Sequence, residues 1–351
     1  MSLMALLEYL TESAVSPLQA NFVEIEDPFA SSASYSFIEN SEATMYLEFS
    51  GVPVAKLSLV EEKLTKVLGD LVSGDIAWDA SRMQTVLNKR IQEQISQIEN
   101  APHDSVASMV IGDVLYGTSD NDFDIRLNSV SLYKDLQERG SNFWIDLLQK
   151  YFVDKPRVLV QGKPSKQLES DMKAAEKKRI AEQVEKLGVA GIKEKADILE
   201  KAMETNDEDA PEEVLNAVPI PNADSISLHS VQSYISNDNS RPCPHFDINQ
   251  MPMFTKFNQI NSQFVYFHVV INTSGIRSDL IMYLPLLLEI IGEAAVIDND
   301  ENEISYENVV AQLEKDFVAK SFSIGLSGGR FKPGAFPSTA VMYFQVFFSG
   351  R

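Results

Sequence analysis

The stretch that most constrains this chain runs from Arg157 to Ile220. It opens on a short apolar run, Arg157-Val-Leu-Val-Gln161, whose composition predicts a strand. The turn Gly162-Lys-Pro-Ser165 follows, and then a highly charged segment from Lys166 to Glu213. Pro164 fixes φ and suits a turn or a first helical position, and Ser165 can cap a helix by accepting a backbone N–H bond. Leu168, Met172, Ala175, Ile180, Val184 and Leu187 recur at helical spacing and make one apolar stripe. Glu169 with Lys173, and Glu182 with Lys186, are i,i+4 pairs in the favourable order. Gly188 enters the left-handed region at little cost and so suits the end of that helix. Ile192, Ala196, Leu199 and Met203 make a second, shorter stripe, and Asn206 to Pro211 breaks it. A solvated helical hairpin joining two domains accounts for all of this.

At 351 residues the chain is long enough for two domains. A formal charge of −21 argues against a nucleic-acid backbone or an anionic membrane as partner. No run reaches the roughly 18 apolar residues of a spanning helix. Cys243 is the only cysteine, which excludes a disulfide framework and favours a reducing compartment, cytoplasmic or mitochondrial matrix. Leu3 to Leu10 is apolar but carries Glu8 and lacks a basic flank, so it does not read as a secretory signal. Met1-Ser-Leu3 reads as an added leader before Met4. Arg351 follows the strand-like Tyr343 to Phe348 with no closing element, so the chain reads as a piece of something longer. A sheet left incomplete there has an open edge, and self-association through it is expected.

Tyr35 to Ile38 and Thr44 to Ser50 alternate as paired strands. Helices are predicted over Lys56–Val72, Asp79–Ile98, His103–Leu115, Leu127–Gln137 and Phe143–Phe152. After the connector, Ile226 to Ser233 and the apolar Phe264 to Asn272 are predicted strands, the latter buried. Helices capped by Ser278 and spanning Tyr306–Val318 come next, then strands over Ser321–Ser327 and Ala340–Phe348. The fold class is therefore α+β: two domains of similar plan, each a sheet with helices on one face, the second incomplete. The boundaries fall at 4–164, 165–220 for the helical connector, and 221–351.

Few residues invite chemistry. His103, His229, His245 and His268 are too far apart for two zinc ligands one helical turn apart. Cys243-Pro-His245-Phe-Asp247 gathers three possible ligands in one loop, though an ordinary surface loop explains it better. His103-Asp104 reads as a helix start, with Asp104 favouring the N-terminal dipole. His268 sits inside an apolar strand. Ser327-Gly-Gly-Arg330 lacks the Lys-Ser/Thr and following helix of a phosphate loop. Asp298 to Glu303 lacks the spacing of a calcium loop and reads as a solvated link between helices.

Arg157 to Ser165, the charged helix after it, Lys186-Leu-Gly-Val-Ala-Gly-Ile192 and Asn206 to Pro211 together resemble the connector of the pitrilysin (inverzincin) zinc metallopeptidases. The presequence-protease branch and its uncharacterised eukaryotic relatives look nearest. The upstream block, with Ala14-Val-Ser-Pro17, Glu24-Ile-Glu-Asp-Pro28 and Val52-Pro53, looks like the second of that family's four α+β domains. The downstream block looks like the start of the third. The resemblance covers nearly the whole chain and is most specific at Gly162, Lys163, Pro164, Ser165 and Gly188.

It implies a chamber of two halves that closes around an unfolded peptide, with zinc held by a His-x-x-Glu-His helix in the first domain. That motif is not in this sequence. In Asp279 to Gly292 the positions nearest to it are Met282, Pro285 and Leu286, whose side chains cannot activate a zinc-bound water. The resemblance thus implies a non-catalytic middle region, chamber wall and hinge, with no catalytic or metal-binding residue of its own. Zinc belongs to the parent enzyme, and the partners are the first and fourth domains and the peptide substrate. A scaffold or peptide-binding relative, like the core proteins of the respiratory chain, is the alternative.

Overall fold

The computed structural model describes residues 1–119, 121–217, 222, 224, 227–238, 240–326 and 335–348. It divides into two compact units, Met1–Val160 with Ser262–Arg351, and Gln161–Asn261.

The first unit begins with helices α1 (Ser2–Thr11) and α2 (Pro17–Phe22). Pro17 fits the first turn of α2, where its missing N–H costs nothing. Strands β1 (Ser32–Ile38) and β2 (Thr44–Ser50) form an antiparallel hairpin with Tyr35 opposite Leu47. A 3-10 turn over Val54–Leu59 leads into α3 (Val60–Ser73), which ends on Gly74 at φ 88°. Asp79 caps α4 (Ala80–Asn100) by accepting the Arg82 amide at 2.9 Å. Next come α5 (Pro102–Tyr116), α6 (Asp122–Leu127) and α7 (Ser129–Gln137). The break at Asn128 splits the single helix expected from Leu127 onward, and its side chain donates to Asp124 O instead. The last helix of this stretch, α8 (Ser141–Leu148), relaxes into a π turn over Gln149–Val153. Leu6, Leu10, Leu68, Leu71, Leu87, Trp144 and Leu148 meet in one core with no more than about one per cent exposure each. Each such side chain contributes about 1.5–3 kcal/mol on burial.

Arg157 to Gln161 is not a strand. It runs exposed and unpaired, with Val158 91% and Val160 86% accessible. No neighbouring strand among the described residues takes its backbone groups, so apolar content alone did not make it one. Arg157 turns instead to Thr65 Oγ1 at 2.5 Å and Phe152 O at 3.4 Å.

The second unit is led by α9 (Lys166–Asn206), followed by α10 (Glu212–Leu215) and the hairpin of β3 (Gln232–Ile235) with β4 (Lys256–Gln259). The strand expected over Ile226–Ser233 is therefore later and shorter. Ile226 lies outside the described residues.

The first unit resumes at β5 (Phe264–Asn272), with the ends expected. It is not a buried strand, however. It forms the edge of a three-stranded antiparallel sheet ordered β5-β9-β8, where β8 is Ala319–Leu326 and β9 is Ala335–Phe347, and Phe267, Val270 and Ile271 stay exposed. Between lie α11 (Leu284–Ile290), the small hairpin of β6 (Val296–Ile297) with β7 (Glu303–Ile304), and α12 (Tyr306–Asp316), capped by Ser305. Asp298 to Glu303 thus turns a hairpin and is not a link between helices. Asp298 Oδ1 accepts the amides of Asp300 and Asn302 and closes that turn. Leu284 and Leu288 of α11 pack on Ala340, Phe322 and Ile324 in a second small core. The architecture is α+β.

Candidate functional site

The helix nearest to a peptidase zinc motif is shorter than its sequence pattern. Residues 277–280 form a turn, Ile281–Tyr283 a 3-10 turn, and the α-helix proper begins at Leu284. Pro285 explains this: its ring cannot sit inside a helix but suits the first turn. The N-terminal flank is therefore Tyr283, not Ser278. Met282 is 80% exposed, Leu286 is exposed and Pro285 half-buried. Asp279 is held by Arg277 through bonds of 3.1 and 2.6 Å. Thioether, pyrrolidine and alkyl groups at 282, 285 and 286 cannot lower the pKa of a bound water.

The connector residues Gly162, Lys163 and Pro164 run extended and exposed into α9. Ser165 Oγ accepts the Leu168 amide at 3.1 Å, the cap its position predicts. Gly188 (φ 60°, ψ −177°) interrupts α9, a conformation open essentially to glycine alone. No residue of α9 is buried, so both apolar stripes lie bare. Glu169 and Lys173 pair at 2.5 Å as expected. Glu182 pairs with Lys178 at 3.7 Å rather than with Lys186.

The other candidates do not converge. Cys243 is half-buried beside a shallow pocket of about 370 Å³ that His245 and Asp247 also line. Yet His245 Nε2 is bound to Gln259 Oε1 at 3.1 Å, and Asp247 caps a 3-10 turn through the Asn249 amide at 3.1 Å. Among the described residues no group of three or more His, Cys, Asp and Glu is placed to hold a metal. His103 and Asp104 meet at 3.5 Å in full solvent, and the His268 ring lies 5.0 Å from that of Tyr343. Ser327-Gly-Gly-Arg330 lies outside the described residues.

One constellation escapes sequence reasoning. Glu8, on the inward face of α1, is 3% exposed. Its Oε1 accepts from Tyr35 Oη at 2.7 Å and contacts Arg90 Nη2, and its Oε2 accepts from Arg90 Nε at 2.5 Å. Arg90 Nη1 also reaches Glu93 at 3.2 Å, and Lys89 meets Glu12 at 2.5 Å. Burial pushes the Tyr35 phenol up to about 12, with Glu12, Tyr133 and Glu93 adding to it. Burial also raises Glu93 above the ordinary carboxylate range, against the pull of Arg90 and Lys89. For Lys89 burial works downward, but Glu12 and its hydrogen bond, with Glu93 and Glu314, outweigh it, and the ammonium pKa sits above its ordinary value. Both Glu8 oxygens are occupied, so the group is no free base. The network ties α1, β1 and α4 together. The signal was a glutamate inside the apolar run Ala5 to Leu10. Its partner 82 residues away was not legible.

Residues 163–308 match the family described as peptidase M16, subfamily C, associated. That span takes in the connector, from Lys163 onward, and all of α11. The chain is 32% identical over 336 residues to an uncharacterised protein of Caenorhabditis elegans, covering 93% of this chain and 33% of that protein. It is 29% identical over 340 residues to one of Schizosaccharomyces pombe and 28% over 344 residues to one of Saccharomyces cerevisiae, covering 31% and 32% of those proteins. The chain thus spans about a third of the length of the curated relatives it matches. It is related to the M16 peptidases. No helix among the described residues is long and apolar enough to cross a membrane.

Proposed function

We propose that this chain is the non-catalytic middle region of a zinc metalloendopeptidase that encloses unfolded peptides in a chamber of two halves. Residues 4–164 act as a second peptidase-type domain, 165–220 as connector and hinge, and 221–351 as the start of a third, degenerate one. Zinc, its His-x-x-Glu-His helix and the substrate-binding fourth domain belong to the longer protein. The presequence-protease branch is the nearest model. The compartment is the cytosol, with the mitochondrial matrix as the alternative, since a lone cysteine suits both.

The observation that carries this reading is α11. It lies within the stretch matched to the family associated with subfamily C of the M16 peptidases and offers only Met282, Pro285 and Leu286 where ligands would stand. The test is zinc content and peptide cleavage of the longer protein beside those of this chain. The expected result is about one zinc and chelator-sensitive cleavage in the longer protein and neither in this chain. A longer protein without zinc or cleavage overturns the peptidase reading and leaves the scaffold one.

A further inference from the structure

We propose that two copies of this chain pair through β5, antiparallel and edge to edge, with the two-fold axis at His268. The inference rests on the β5-β9-β8 sheet and is independent of the peptidase reading.

The geometry of the edge comes first. Gln263 O accepts the Phe348 amide at 2.8 Å, and the Thr273 amide donates to Ser338 O at 2.8 Å. Along an antiparallel ladder the groups facing one neighbour alternate. Odd-numbered residues from 263 to 273 therefore face β9, and Phe264, Tyr266, His268, Val270 and Asn272 turn their N–H and C=O groups to the free edge. The Phe264 amide is taken by Ser262 Oγ at 3.0 Å, as that direction requires. No strand among the described residues lies on the other four.

The two edges of this sheet differ. Natural sheets guard an edge with charge or a bulge. β8 has both: Lys320, and a register break between Ile324 and Leu326 with Gly325 at φ 72°. β5 (Phe-Val-Tyr-Phe-His-Val-Val-Ile-Asn) has neither charge, proline nor bulge over nine residues. It is an edge without a device that repels a strand.

The strand also fits itself. With His268 on the axis, Tyr266 faces Val270 of the second copy, Phe267 faces Val269 and Val265 faces Ile271. Parity is kept, so each side chain meets one from its own face of the sheet. Aromatic and β-branched residues stand opposite each other, which is the favourable cross-strand combination. The pairs formed at Tyr266, His268 and Val270 are the outward, hydrogen-bonding ones. No like charges meet at contact, although each chain carries −21 overall. That repulsion acts at longer range and is screened beyond about 8 Å at physiological ionic strength. Association should therefore tighten as salt is raised.

Sedimentation velocity on the whole chain over a wide concentration range is the first test. A monomer–dimer equilibrium is expected, weakened at least tenfold by V270K, which places a charge on an exposed edge position. The register is read by cross-linking in a C243S background. H268C meets its own counterpart at about 5.5 Å between Cα atoms, within the reach of a disulfide. Oxidation with diamide should link H268C chains, whereas V265C, facing Ile271, should not link. A strict monomer at every concentration overturns the proposal. So do unchanged association in V270K and equal cross-linking of H268C and V265C.

Discussion

Helices α4 and α9 are both amphipathic, and their apolar residues recur at the same spacing. The first buries its stripe and the second leaves it bare. Met83, Val86, Leu87 and Ile91 of α4 enter the main core, while no residue of α9 is buried. The polar sides differ as well. On α4, Lys89 and Arg90 find partners on α1, with Arg90 reaching the buried Glu8. On α9, charges meet only neighbours three or four residues away, such as Arg179 with Glu176 at 2.5 Å. A hydrophobic period therefore predicts a helix with one apolar face but not what covers that face. Most helical stability comes from that packing, so α4 should govern global stability and α9 should not.

The sharpest way to break the comparison is to delete apolar atoms from α4. Leu87→Ala should cost about 2–5 kcal/mol in urea unfolding, because the buried side chain leaves a cavity. Next in size is the charged side of the same packing. Glu8→Leu strands Arg90 in a mostly buried site and should cost about 3 kcal/mol by the same measurement. Tyr35 adds a pH signature. Its folded pKa of about 12 lies above the ordinary 10, so the stability it lends is complete below pH 10 and is lost as pH rises through 12. Tyr35→Phe should flatten that alkaline fall; an unchanged slope would deny burial of the phenol.

In α9 the expected effects are local. Gly188→Ala, at a conformation alanine avoids, should straighten the helix and lengthen a spin-label distance between its two halves, with the urea midpoint of the first unit unmoved. Leu199→Ala, at a 61% exposed site, should change stability by no more than about 0.5 kcal/mol. A loss as large as that of Leu87→Ala would mean that α9 has a packed partner.

Local chemistry was legible. The Asp79 and Ser165 caps, the Gly188 break and both ends of β5 followed from side-chain hydrogen bonding, glycine's freedom and β-branched composition. What depends on distant residues was not. Arg157 to Gln161 has strand composition but no strand to pair with, and β5 has core composition yet sits at an edge. In the helix carrying Met282 the apolar period ran through Pro285, and the period, not the proline, misled the reading. The Glu8–Arg90–Tyr35 network joins three elements, so only Glu8's setting was visible beforehand.

The most direct test of the central claim is cleavage of an unstructured fluorogenic peptide by this chain supplied with zinc. With Met282, Pro285 and Leu286 on the relevant helix and no convergent ligand group among the described residues, the account predicts no turnover above the buffer rate. Turnover that a chelator abolishes and zinc restores would contradict it, and would place a catalytic metal within these 351 residues.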